Sequence, residues 1–205
     1  MCWNKEVSIL SFTVGLFISL YVAKWAYDKK NYHLMALSLV WLYPLCMQLV
    51  DYMIWEHKCG EKVNKMGYML NVTQPIVLYL VFIHFNNIPL VHKITSSFCI
   101  FIYMAWFLIT STSYDPSICP STQSGHIEYP WWDKEKLKEG LYLITLSVVL
   151  LSLIKPFYLA KAIWLYVMIT LLISYHFIYD GSASMWCWFA VCTPLIGQMA
   201  VYNKL

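Results

Sequence analysis

The chain contains no arginine: all 14 of its basic residues are lysines. Charge of either sign is scarce, at 12% of residues, about half the fraction of a soluble domain. The first absence removes the guanidinium forks that read phosphates and base edges. With a formal charge of only +3, nucleic acid is not an expected partner. The second leaves too little charge to keep a chain of 205 residues in water as a soluble domain. The opening "MCWNKEVS" lacks a basic n-region, a short apolar run and a small-residue cleavage site. No cleaved signal is therefore expected, and the first apolar run reads as a retained helix that also acts as a signal anchor.

What is present is apolar: 60% of residues are hydrophobic and 18% aromatic. Runs near the ~20 residues needed to cross a bilayer cover 7–27, 33–55, 66–84, 89–112, 138–155, 158–179 and 183–202. The expected fold is an all-α polytopic membrane protein, a seven-transmembrane-helix bundle. It forms a single domain over 1–205, with 113–136 its longest loop.

Seven spans put the termini on opposite sides, here called side A (N-terminal) and side B (C-terminal). Lysines divide evenly: Lys5, Lys58, Lys62, Lys65, Lys134, Lys136 and Lys138 on side A, and Lys24, Lys29, Lys30, Lys93, Lys155, Lys161 and Lys204 on side B. Discounting the long loop, as the positive-inside rule does, tips the balance towards a cytoplasmic side B. Cysteines point the same way. Cys2, Cys59, Cys119 and Cys187 fall at side A, where an oxidising compartment could pair them, whereas Cys46, Cys99 and Cys192 lie within spans. The expected placement is integral to the membrane, with the N-terminus exoplasmic or lumenal and the C-terminus cytoplasmic. Trp3, Trp55, Trp131, Trp132, Trp186 and Trp188 cluster near the A-side interface, and the loop "HIEYPWWDKEKLKEG" (126–140) reads as an interfacial anchor.

Alternating span direction assigns each polar residue a depth. In the second span Gln48, Asp51 and Trp55 are spaced by three and four, which places them on one helical face. In the third span Asn71 and Gln74 share a face, and Pro75 frees the carbonyl of Asn71. The sixth span ends with His176 and Asp180 four apart, and "GSASMWCW" adds Ser182, Ser184 and Cys187. All are assigned to the A-side third. Burying such groups in hydrocarbon costs several kcal/mol unless they find partners. Convergence is therefore expected: one ligand- or ion-binding pocket open to side A, with Asp51 its central charge and His176 a titratable neighbour. The sequon Asn71-Val72-Thr73 lies too deep for glycosylation and reads as pocket or packing material. A short echo, "PLCMQLVDY" (44–52) and "PLIGQMAVY" (194–202), is consistent with a repeat but is brief.

Taken together, "MCWNKEVS", "MQLVDYMIW", "TQPIVLY" and "GSASMWCWFA", in that order, resemble a family of small, uncharacterised seven-span membrane proteins of giant DNA viruses and algae. Its pattern is Met-Cys-Trp at the start, Met-Gln, an acid and Trp in the second span, Gln-Pro in the third, and Gly-Ser then Trp-Cys-Trp in the last. The chain differs in carrying Asp51 where Glu is more usual, and two additional residues before Trp-Cys-Trp. The resemblance implies a seven-span fold and a host endomembrane or viral inner membrane, and names no substrate.

The leading expectation is an ion, proton or small-molecule channel or transporter, because a carboxylate with a neighbouring imidazole is usual equipment of such pathways. A second is a structural or receptor-like viral membrane protein that binds lipid or ligand. A third is a membrane-embedded, metal-dependent lipid hydrolase, for which Asp51, His176 and Asp180, with Cys187, His57 or His126, offer weak ligands. No cofactor is expected. Covalent retinal needs a lysine within the last span, and none precedes Lys204. Expected partners are the lipid bilayer and a small ion or small polar molecule, and a homo-oligomer is compatible with the bundle.

Overall fold

A computed structural model describes residues 4–56, 60–84, 88–111, 115, 117–120, 127, 129, 136–177 and 189–203. These residues are helical nearly throughout, with no strand among them. The helices are α1 (Lys5–Asp28), α2 (Tyr32–Val40), α3 (Leu42–Trp55), α4 (Glu61–Val72), α5 (Gln74–Phe82), α6 (Leu90–Ser111), α7 (Lys136–Leu153), α8 (Phe157–Phe177) and α9 (Thr193–Tyr202).

Among the described residues, four stretches are long and apolar enough to cross a membrane: Lys5–Asp28, Tyr32–Trp55, Leu90–Ile109 and Phe157–His176. Nine helices with described bounds stand where seven spans were expected: the second and third spans are each divided in two, and in the last the helical residues 189–190 are parted from α9 by a turn at 191–192. The second divides at Trp41 and the third at Thr73. Each interruption lies just ahead of a proline, Pro44 and Pro75, and Pro194 sits likewise in the first turn of α9. A proline has no N–H to give to the carbonyl four residues earlier, so Val40, Asn71 and Ala190 each lose a helical donor.

Donors from other helices make good part of this loss. The Trp41 indole N–H donates to the carbonyl of Ala190 at 2.7 Å. Tyr166 donates to the neighbouring carbonyl of Phe189 at 2.7 Å. Tyr103, fully buried on α6, donates to the carbonyl of Val72 at 2.6 Å, at the α4/α5 interruption. The Thr73 hydroxyl donates to Met69 O, so it accepts from Tyr43 across α3.

Helix α1 packs on α2 and α3 through a face of small residues: Ser8, Ser11, Gly15, Ser19, Ala23 and Ala26 are all buried. Small residues let helix backbones approach closely. At Gly15 the approach is extreme, since a Cβ there would lie 2.5 Å from Leu45 Cδ2. The main core joins Leu34, Leu37, Phe82, Tyr103, Leu150 and Leu159 around α2, α5, α7 and α8. The outer faces stay apolar: Phe17, Phe101, Ile109 and Leu172 are each about two-thirds or more exposed. So large an apolar exterior suits a hydrocarbon surround.

The interruptions make a prediction. Trp41→Phe strips the donor from a carbonyl that has no helical partner, whereas Trp164→Phe removes a bond to the rotatable hydroxyl of Ser147. Both variants lose similar volume, so Trp41→Phe is expected to cost about 1–2 kcal/mol more in a denaturant titration. Equal costs would show that the Ala190 carbonyl is satisfied without Trp41.

Candidate functional site

The buried face of α3 runs Met47, Gln48, Val50, Asp51 and Ile54, the spacing of a single helical stripe. Gln48 and Asp51 are completely buried. Ile127 and Tyr129, from the loop expected to rest in the interface, insert against Met47, Val50 and Ile54 of α3 and Tyr68 and Val72 of α4. Both are almost wholly buried, and the Tyr129 hydroxyl donates to Asp51 Oδ1. Ile127 and Tyr129 thus stand over Asp51 at this level, and Tyr129 supplies a hydrogen bond to its carboxylate.

The loop is held to the bundle at a second place. Asn64, buried on α4, donates its amide to the carbonyl of Ile118 at 3.0 Å and lies 4.0 Å from Cys119 Sγ. Cys119 is disulfide-bonded. Since Cys46, Cys99 and Cys192 are free, an intrachain partner must come from Cys2, Cys59 and Cys187, which lie outside the described residues. Just ahead, Asp115 accepts from the Ser117 hydroxyl at 2.7 Å and from its backbone N–H at 2.9 Å. These bonds make a tight turn and hold the Asp115 carboxyl below its usual range. At the same end Lys5 pairs with Glu56 at 2.7 Å, closing the end of α1 onto that of α3.

Among the described residues, Asn71 and Gln74 stand at a different level from Asp51. The Tyr43 to Thr73 bond sets the register of the antiparallel α3 and α4/α5. By that register Asn71 lies opposite Leu45 and Gln74 opposite Leu42, roughly 9 and 13 Å deeper than Asp51 at 1.5 Å per residue. Gln74 belongs with α7, where its Oε1 accepts from Tyr142 at 2.6 Å. It lines a small, largely apolar cavity with Trp41, Tyr43, Pro44, Leu146 and Ala190, at the meeting of all three proline interruptions. The Asn71 amide nitrogen and the Trp55 indole nitrogen are buried without a partner among the described residues. His176 lies on the exposed last turn of α8. Asp180, Ser182, Ser184 and Cys187 lie outside the described residues, as do His57 and His126. Among the described residues no three His, Cys, Asp or Glu side chains gather as metal ligands would.

No protein-family model, curated protein or solved structure matches this chain. The site's chemistry stands on its own residues. Of these, Tyr129, Ile127, Asn64 and Tyr142 were not singled out from sequence. The one available signal was the alternation of Ile127 and Tyr129, which puts both side chains on the same edge of an extended segment.

A carboxylate out of water is strongly dependent on its donor. Tyr129→Phe is expected to lower stability by about 2–3 kcal/mol in the native background, and by clearly less in Asp51→Asn, where the neutral amide has less need of that hydroxyl. Additive costs in a double-mutant cycle would mean that the two side chains are not coupled.

Proposed function

We propose that the chain is a seven-span integral membrane protein, belonging with the small seven-span proteins of giant DNA viruses and algae that it resembles. We propose further that it moves protons, small cations or small polar molecules through a path controlled by Asp51. The observation that carries this reading is the complete burial of Asp51 under Tyr129. An ionisable group within a membrane bundle is expensive, and packing alone gives no reason to keep one there. As a binding or proton-exchange group it has a role that an apolar residue cannot fill.

The described arrangement is closed at both ends of such a path. Ile127 and Tyr129 cover Asp51 from side A, and below it lie the Tyr43–Thr73 contact and the main apolar core. Conduction would need the Tyr129 contact to part and the helices to shift at their interruptions. Pro44, Pro75 and Pro194 supply interruptions of the kind found in transporters near the membrane midplane. The disulfide at Cys119 supports an exoplasmic or lumenal side A, because such bonds persist in oxidising compartments. A receptor-like role is the second reading, favoured by the Gln74 cavity. Gln74 uses its Oε1 on Tyr142, and its amide nitrogen is left for a ligand acceptor.

Purified protein in liposomes under a pH gradient and an imposed voltage tests the transport reading. The native chain is expected to pass protons or cations, with flux reduced tenfold or more in Asp51→Asn while the variant remains folded. Tyr129→Phe is expected to change the rate in either direction, because it alters the group that holds Asp51 closed. Native flux indistinguishable from empty liposomes, or flux equal in Asp51→Asn, would remove Asp51 from any such role.

A further inference from the structure

Charge is distributed very unevenly between the two ends of the bundle. At the end that carries the α1/α2, α5/α6 and α7/α8 connections, the described residues include Lys24, Lys29, Lys30, Lys93, Lys155 and Lys161. Asp28 is the one acid among the described residues there, and it is engaged by Lys24 at 2.9 Å. The other end holds Lys5, Lys62, Lys65, Lys136 and Lys138 against Glu6, Glu56, Glu61, Asp115 and Glu139. Counting lysines alone hides this difference, because it comes from where the acids are missing.

Packing draws the basic residues into one neighbourhood. His33, at the start of α2, accepts the backbone N–H of Lys155 at 3.4 Å and stacks on Phe82 at the end of α5. The α1/α2 turn, the end of α5 and the α7/α8 turn therefore adjoin. Tyr79 of α5 bonds Ser97 of α6 at 2.8 Å, which brings the first turns of α6, and Lys93, to the same rim. Lys30 has a left-handed backbone at φ 55° in a tight turn, and Lys29, Lys30 and Lys161 are exposed. Lys29, Lys30, Lys93, Lys155 and Lys161 form no ion pair among the described residues.

Around the lysines stand exposed aromatic side chains: Tyr27, Tyr32, Phe157 and Tyr202 are each more than half exposed. Aromatic rings favour the headgroup level of a bilayer, and lysines next to them reach outward into the phosphate layer. A soluble acidic partner would account for the lysines but not for the ring of aromatics.

We infer that this face binds the headgroups of anionic phospholipids in the adjoining leaflet, through Lys29, Lys30, Lys155 and Lys161. The inference rests on the membrane reading and is independent of transport. The ammonium groups neutralise lipid phosphates. Because the attraction is electrostatic, it weakens as salt rises.

The full chain, reconstituted with phosphatidylcholine and about one-third phosphatidylglycerol, would be examined for lipid retained on detergent extraction and for spin-labelled lipid selectivity. The native protein is expected to enrich phosphatidylglycerol several-fold, with the enrichment falling in high salt. The quadruple variant Lys29→Gln, Lys30→Gln, Lys155→Gln, Lys161→Gln is expected to retain the two lipids about equally at unchanged melting temperature, whereas Lys62→Gln, Lys65→Gln at the other end keeps the enrichment. Equal retention of both lipids by the native protein, or equal loss in the two variants, would overturn the inference. Displacement of the lipid by millimolar inorganic phosphate would also overturn it, by identifying a site for free phosphate. Loss of flux in liposomes with intact lipid selectivity would bear on Asp51 and leave the lipid face standing.

Discussion

A peptide carbonyl taken out of water must find a donor inside the protein, and in hydrocarbon there is no fallback. Much of this bundle is arranged around that constraint. Three prolines remove N–H groups from helices at mid-length, and Trp41, Tyr103 and Tyr166 reach across from neighbouring helices to carbonyls beside the gaps. These bonds span the chain: Trp41 on the second expected span is tied to Ala190 before the last. The polar ends of aromatic side chains thereby fix which helices touch and at what level, while their rings pack as apolar core.

The same requirement acts on side chains. Asp51 is fully buried, Tyr129 donates to it, and Ile127 packs against the same helices. Asn64 and the disulfide at Cys119 hold the preceding part of the loop close by. Tyr129, Asp51 and the α3/α4 pair are thus packed together.

At the opposite end the constraint is relaxed, because the lysines and aromatics there are exposed rather than closed inside the bundle. The small-residue face of α1 and the close approach at Gly15 belong to neither end. They let α1 lie flat on α2 and α3, so that Gln48 and Asp51 are sealed from the lipid side.

Local composition determined that the chain is helical and apolar, and that Asp51 and Gln48 share a helical face. A helix period and a run length are properties of neighbours in sequence, and they survive without knowledge of the rest. Sequence also located Pro75 as a source of a freed carbonyl, but could not say what would answer it. The partners Tyr103, Trp41 and Tyr129 stand 31, 149 and 78 residues from the groups they bond. Depth proved equally non-local: Asn71 and Gln74 read as level with Asp51 until the Tyr43 to Thr73 contact set the register. The loop was read as interfacial because its Trp pair and charges dominate its composition. Its insertion was decided by the unmet hydrogen-bonding demand of a carboxylate on another helix, and only the tertiary structure brings that demand and Tyr129 together.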